Sequence, residues 1–253
     1  MGTMDNDKKL FDLFKKYDLS IEDIDIILSI CETIYSHDEF QRRMTEEFLH
    51  HDKVTLGMHI LEDTIVTYIL YKKYKFTSDF DLSIALKIAM MHDLYELPWQ
   101  NNEEAKVDKF FNMHGFRHPI EAVINANTWY PEYFENNCDS KKLIDGIVHH
   151  MYPFPVRSFN LNEDNELELK NFGLIKNMSL YNINLLKESS NRNKIGLVSF
   201  SKSEYMEGIL VSKADKIVSS LNFKDSNIHG LIALLGAHNK NLDNYDSYKR
   251  NLK

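Results

Sequence analysis

Leu82-Ser83-Ile84-Ala85-Leu86-Lys87-Ile88-Ala89-Met90-Met91-His92-Asp93 is an apolar helical run that ends in a His-Asp pair. Asp81 or Ser83 supplies the N-cap. The helix is predicted to pass through Ile84, Ile88, Ala89 and His92 to about Tyr95, with Pro98 closing it. His92 follows Ile88 by four residues and Ala89 by three, so it projects with the core side. Asp93 diverges from it by about 100 degrees around the helix. Groups on such faces must be paired or bound to metal, because burying a bare carboxylate costs several kcal/mol.

The same periodicity extends in both directions. Upstream, Leu10, Phe11, Phe14 and Tyr17 form one stripe ending near Asp18. Ser20, followed three residues later by Asp23, opens a second helix through Ile21, Ile24, Ile27 and Leu28. Phe40 to Leu49 reads as a shorter segment, and Met58 to Tyr74 as a long helix that groups His59 with Ile60, Asp63 and Val66. Downstream, a short helix is expected at Glu103 to Met113. His118-Pro119 opens another, with Pro suiting the first helical position. Ser140 is expected to cap Lys141 to Met151, with Pro153 and Pro155 ending that helix and His150 three residues after Ile147. Glu204 to Leu221 places Asp215 among Ile209, Val211, Ile217 and Val218, and Ile228 to Leu235 forms a last helix.

Residues 157–200 differ: they are rich in Asn, Leu, Ser and Lys, with alternation at Leu167-Leu169 and from Ile195 to Phe200. They read as an insertion, a small β-hairpin or lid. The expected fold class is therefore all-α, a helical bundle. Its N-terminal helices span 1–48, a first core part spans 49–156, and a second core part with the C-terminal helix spans 201–253.

At 253 residues the chain can bury one substantial core. Its formal charge of −8 argues against an extended nucleic-acid partner but not against a local phosphate pocket, since bound divalent ions would supply positive charge. Cys31 and Cys138 make neither a disulfide framework nor a thiolate cluster, which fits a reducing compartment and a cytoplasmic location. The first residues lack a signal-peptide core, Asn6 spoils a myristoylation motif, and no apolar stretch approaches eighteen residues, so no membrane partner is expected. A homodimer is compatible with this profile.

Four histidines and two aspartates thus fall on or beside apolar periodic segments: His59, His92, Asp93, His118, His150 and Asp215. Imidazole and carboxylate donors suit harder transition metals, with Fe or Mn foremost and Mg, Ni or Co as alternatives. Six donors are too many for one site with an open position but enough for two ions if Asp93 bridges them. In that division His59, His92, Asp93 and Asp215 hold one ion, and Asp93, His118 and His150 the other. Ions about 3.5–4 Å apart can share a hydroxide that attacks a phosphorus centre. Glu96 and Asp63, each about a turn from a ligand, would orient imidazoles or relay a proton. Arg117, Lys213 and Lys216 are the basic residues for phosphate binding.

Against this stands a plainer account, because a histidine on an apolar helix face is ordinarily a core or surface residue. His51 and His149 fit it, and Asp145 with His149 reads as a water-facing pair. All six donors in this order resist it.

The chain resembles the HD-domain superfamily of metal-dependent helical proteins, mainly between about residues 50 and 220. His59 matches the first motif histidine, His92-Asp93 the doublet, and Asp215 within Ala214-Asp215-Lys216 the closing aspartate. The runs His51 to His59, His114-Gly115-Phe116-Arg117-His118-Pro119 with Glu121-Ala122, and His150-Met151-Tyr152-Pro153 are similar to a group of small bacterial HD hydrolases. The His-Met-aromatic-Pro element selects His150 over His149. The extra histidines resemble the dinuclear branch, which includes cyclic-dinucleotide phosphodiesterases. Two departures stand out: sixty-five residues separate His150 from Asp215 where that group has a short loop, and no Gly-Tyr-Pro signature is present. The resemblance implies hydrolysis of a small phosphoester: a nucleotide, cyclic nucleotide or cyclic dinucleotide. The same ligand order also resembles HD-type di-iron oxygenases, and a non-catalytic HD-fold binding protein is a third expectation.

Overall fold

The computed structural model describes residues 4–51, 54–96, 114–135, 137–159 and 177–222. The fold is all-α with small antiparallel sheets. Helices α1 (Met4–Lys16), α2 (Ile21–Tyr35) and α3 (Asp38–Arg43) lead into a short hairpin of β1 (Leu49–His51) and β2 (Val54–Thr55). The core helices follow: α4 (Leu56–Lys73), α5 (Leu82–Met91), α6 (His114–Trp129) and α7 (Asn137–Val148). Then come β3 (Val156–Arg157), α8 (Leu180–Ser190), β4 (Lys194–Ile195), β5 (Val198–Ser199) and α9 (Met206–Asn222). β5 lies between β3 and β4 in a three-stranded antiparallel sheet. The anticipated closing residue Pro98, the helices at 103–113 and 228–235, and the alternation at 167–169 fall outside the described residues.

α4 is the centre of the bundle, packed chiefly against α9 and α5. Its residues from His59 through Tyr68 are buried without a break, as befits a helix surrounded by others. Buried polar groups on it find partners: the Glu62 carboxylate takes the Tyr17 hydroxyl at 2.5 Å and the Lys16 ammonium, which docks α1. Ser20 and Asp23 form the expected reciprocal capping box at the start of α2. Asp81 caps α5 by accepting from the Ile84 N–H at 3.2 Å. The Asp81 N–H in turn donates to Glu207, which also binds the Lys142 ammonium at 2.6 Å, so the ends of α5, α7 and α9 are pinned together. Two glycines let these helices meet. A Cβ on Gly208 would lie 2.7 Å from the Gly146 Cα, and one on Gly146 only 2.5 Å from the Ile88 side chain.

Several boundaries differ from the sequence expectations. α6 begins at His114, so Pro119 sits in its second turn rather than opening the helix. The proline forgoes only the bond to the Gly115 carbonyl, while starting earlier lets the His114 carbonyl accept from His118 Nδ1 at 3.1 Å. α7 begins at Asn137 with Asp139 in its first turn, so Ser140 is a buried interior residue and not a cap; the helix ends at Val148, short of Met151. Segment 157–200 contains the hairpin that was expected but also the helix α8, capped by Ser179. No helix among the described residues is long and apolar enough to cross a membrane.

Asp23 offers a pH test of the α2–α4 contact. Its carboxylate accepts from Lys72 at 2.7 Å and from the buried Tyr68 hydroxyl at 2.8 Å, besides the Ser20 N–H. The Lys72 bond above all holds its pKa far below the usual carboxylate range, against a smaller opposing effect of burial. A depressed folded pKa means stability that is present above the unfolded value near 3.9 and lost as pH falls through the folded value. Asp23→Asn is expected to cost about 1 kcal/mol at pH 7, kept small because Lys72 is half exposed. Urea melts of both proteins should converge as pH drops below about 4.

Candidate metal centre

His92 is the C-cap of α5, so the chain leaves the helix there and Asp93 lies in the turn that follows. α4 brings His59 and Asp63, α6 brings His118, the turn after α7 brings His150, and α9 brings Asp215. All six ligand candidates from the sequence are buried and converge on one cluster.

The Asp93 carboxylate is its hub. Oδ1 lies 3.2 Å from His118 Nε2 and 3.5 Å from His150 Nε2. Oδ2 lies 3.8 Å from His59 Nε2 and 3.7 Å from His92 Nε2. Asp215 Oδ1 closes the second side at 3.4 Å from His59 and 4.0 Å from His92. Donors each about 2.1 Å from a common cation can be at most about 4.2 Å apart, and every one of these separations complies.

The tautomers point the same way. His92 Nδ1 donates to the Ala89 carbonyl at 2.7 Å, His118 Nδ1 to His114 at 3.1 Å, and His150 Nδ1 to Ile147 at 2.7 Å. Each ring's proton is thereby occupied on the backbone, and the Nε2 lone pair faces the cluster. His118 and His150 then hold their Nε2 atoms 3.1 Å apart, where two lone pairs repel unless a proton or cation lies between them. Ligands at right angles around one ion at about 2.1 Å stand about 3 Å apart. His92 Nε2 is buried with no hydrogen-bond partner among the described residues, an orphan that a metal would satisfy. The residues therefore fit a metal, and three overlapping groups of buried His and Asp could hold one.

Electrostatics within the cluster are strongly coupled. Burial pushes the Asp93 pKa up, but His92 and His118 pull it well below the usual range. Burial holds His92 neutral, with its pKa down to about 4. Asp63 is driven well above the carboxylate range by burial and by Asp215 and Asp93. It is fully buried, its Oδ2 stands 3.6 Å from His92 Nδ1, and neither of its oxygens has a hydrogen-bond partner among the described residues. Burial also brings the Lys216 ammonium down to about 8, opposed by Asp215 and Asp63.

The remaining candidates are scattered. Lys216 Nζ donates to Ser212 and reaches the His150 carbonyl at 3.4 Å, at the edge of the cluster. Arg117 precedes His118 on α6. Lys213 does not approach: its ammonium binds the Tyr74 hydroxyl at 2.5 Å, beyond the end of α4. Tyr74 lies eleven residues past Asp63, about 16 Å along the helix. Glu96 faces Arg42 at 3.6 Å and Arg43 at 3.9 Å. His149 and Asp145, read from sequence as facing water, are both buried; they belong to a separate network with Ser189, Arg192 and Ser203. The sequence reading missed His50, which β1 delivers against the cluster with Nε2 3.8 Å from Asp93 Oδ2. A strand of three residues is too short for alternation to mark His50 as an inward position.

No family model, curated protein or solved structure matches this chain.

Proposed function

We propose that the chain is an HD-type, metal-dependent phosphohydrolase that holds two divalent transition-metal ions and cleaves a small phosphoester. The observation that carries this reading is the division of the Asp93 carboxylate, with Oδ1 facing His118 and His150 and Oδ2 facing His59 and His92. A carboxylate with different imidazoles on its two oxygens is built to bridge. In this assignment His59, His92, Asp93 and Asp215 hold one ion and Asp93, His118 and His150 the other. Bound ions would supply Lewis acidity toward phosphoryl oxygens and would acidify water for attack at phosphorus.

The chain's own groups do the rest. Backbone carbonyls at 89, 114 and 147 fix three rings in the ligating tautomer. Burial and the neighbouring Asp215 and Asp93 favour the protonated form of Asp63, which limits repulsion beside those carboxylates, and its Oδ2 stands 3.6 Å from His92 Nδ1, on the acceptor side of that N–H. In this reading Lys216, whose ammonium donates to Ser212, and Arg117, next to His118 in the chain, would be the cations that meet phosphate oxygens. Asp93 and Asp215 are acceptor-only anions, so a phosphate would enter only once cations offset them.

The test is elemental analysis, then anaerobic loading with Mn(II) or Fe(II) and a panel of nucleotides, cyclic nucleotides, cyclic dinucleotides and phosphomonoesters. Phosphoester cleavage that a chelator stops and Mn(II) restores is the expected result. Turnover that consumes dioxygen and leaves every phosphoester intact would replace the proposal with the oxygenase. Protein that takes up no metal and turns over nothing would make it a binding protein.

A further inference from the structure

His50 stands where a further ligand would stand. Its Nε2 is 3.8 Å from Asp93 Oδ2, the oxygen that lies 3.8 Å from His59 and 3.7 Å from His92, so three imidazoles surround one carboxylate oxygen at nearly one radius. Its ring lies against that of His59, centroids 4.4 Å apart with planes tilted 32°. The opposite nitrogen, Nδ1, is 3.1 Å from the Tyr95 hydroxyl. With His50 Nδ1–H donating to that hydroxyl, the Nε2 lone pair would face the cluster, in the tautomer that backbone carbonyls fix for His92, His118 and His150, and His50, His59 and Asp93 bring ligand atoms within 4.8 Å of one another. Tyr95 is itself positioned: its ring is fully buried and its carbonyl accepts from the buried Arg43 guanidinium. The chain thus orders Arg43, Tyr95 and His50 in series toward Asp93.

We propose that His50 is a metal ligand, a seventh protein donor on the Asp93 Oδ2 side, and that Tyr95 is its positioning residue through Nδ1. This rests on the metal-centre reading above. It makes the Oδ2 side the richer in protein donors, with His50, His59, His92, Asp93 and Asp215. The Oδ1 side has three, Asp93, His118 and His150, and so has more positions left for water or substrate.

Equilibrium titration of the metal-free full chain with Co(II) and Zn(II), with X-ray absorption on the loaded protein, tests it. His50→Ala should weaken the tighter site by at least about 100-fold, and Tyr95→Phe by about 10-fold. The mean number of imidazoles per metal should fall in His50→Ala, and the visible cobalt spectrum should change. His50→Gln, which keeps a polar donor on the strand, guards against a folding artefact, and metal-free melting temperatures of all three variants should match the wild type within a few degrees. A His50→Ala protein with wild-type stoichiometry, affinity and imidazole count would overturn this proposal and leave the metal centre standing. A wild-type chain that takes up neither metal would overturn both.

Discussion

Asp93→Ala is expected to abolish tight metal binding altogether, with affinity for Mn(II), Zn(II) or Co(II) falling by more than 100-fold at every site. The expectation follows from the placement of both carboxylate oxygens: no other side chain among the described residues faces both His118 and His150 and also His59 and His92. Its companions separate the two sides. His118→Ala removes a donor only from the Oδ1 side, so it should reduce the metal content while sparing a tight site on the Oδ2 side. Asp215→Ala should do the converse. Asp93→Asn keeps the shape but offers one neutral oxygen and an amide that cannot ligate, so it should retain at most one weakly held ion. Equilibrium dialysis followed by elemental analysis reads all four. If Asp93→Ala bound as much metal as the wild type, the carboxylate would be a charge partner for the histidines and nothing more.

How much of this was legible from the chain alone depended on how long each signal was. The run from Ile84 to Met91 is a helix apolar at every position but Lys87, with Asp81 as its cap, and Ser20 with Asp23 forms its box as expected, because caps and ten-residue periodicity are local matters. The convergence of His59, His92, Asp93, His118, His150 and Asp215 was legible for a different reason: charged and imidazole groups on apolar faces demand partners, and six of them recur along the chain in one order. Boundaries fared worse. Pro119 and Ser140 carry strong start signals, yet tertiary packing extends both helices upstream of them. α8 was missed because residues 180–190 bury only Asn182, Leu185, Leu186, Ser189 and Ser190, too polar a face to read as amphipathic. His50 escaped because it sits on a three-residue strand, where no period exists to be read.

The second large effect belongs to Asp145, which sequence periodicity had placed on a wet helix face. It is buried on α7, and its two oxygens are fully committed. Oδ2 accepts from the Ser203 hydroxyl at 2.6 Å and the Glu204 N–H at 2.8 Å; Oδ1 accepts from Ser189 at 3.2 Å and pairs with Arg192 at 2.8 Å. One carboxylate thereby ties the end of α8 and the turn into α9 to α7, one turn before His149 and His150. Removing it leaves a mostly buried guanidinium, two hydroxyls and a backbone N–H without their acceptor. Loss of one partner from such a pair costs about 3–5 kcal/mol, taken here at the low end because Arg192 also reaches Glu204 at 2.9 Å. Asp145→Ala should therefore lower the melting temperature of the metal-free chain by about 6–12 °C. Asp145→Asn should not rescue it, since one of the two atoms facing four donors becomes a donor itself. Hydrogen exchange should quicken between residues 189 and 204 while α4 and α5 remain protected, because α4 packs chiefly against α5 and α9 and neither helix bonds to Asp145. A variant that melts within a degree of the wild type would mean that water replaces the carboxylate at little cost. In that case the attachment of residues 189–204 would rest on the pairing of β5 with β3, on the bonds of Ser190 and Asn191 to Phe159, and on the apolar contacts of Val198.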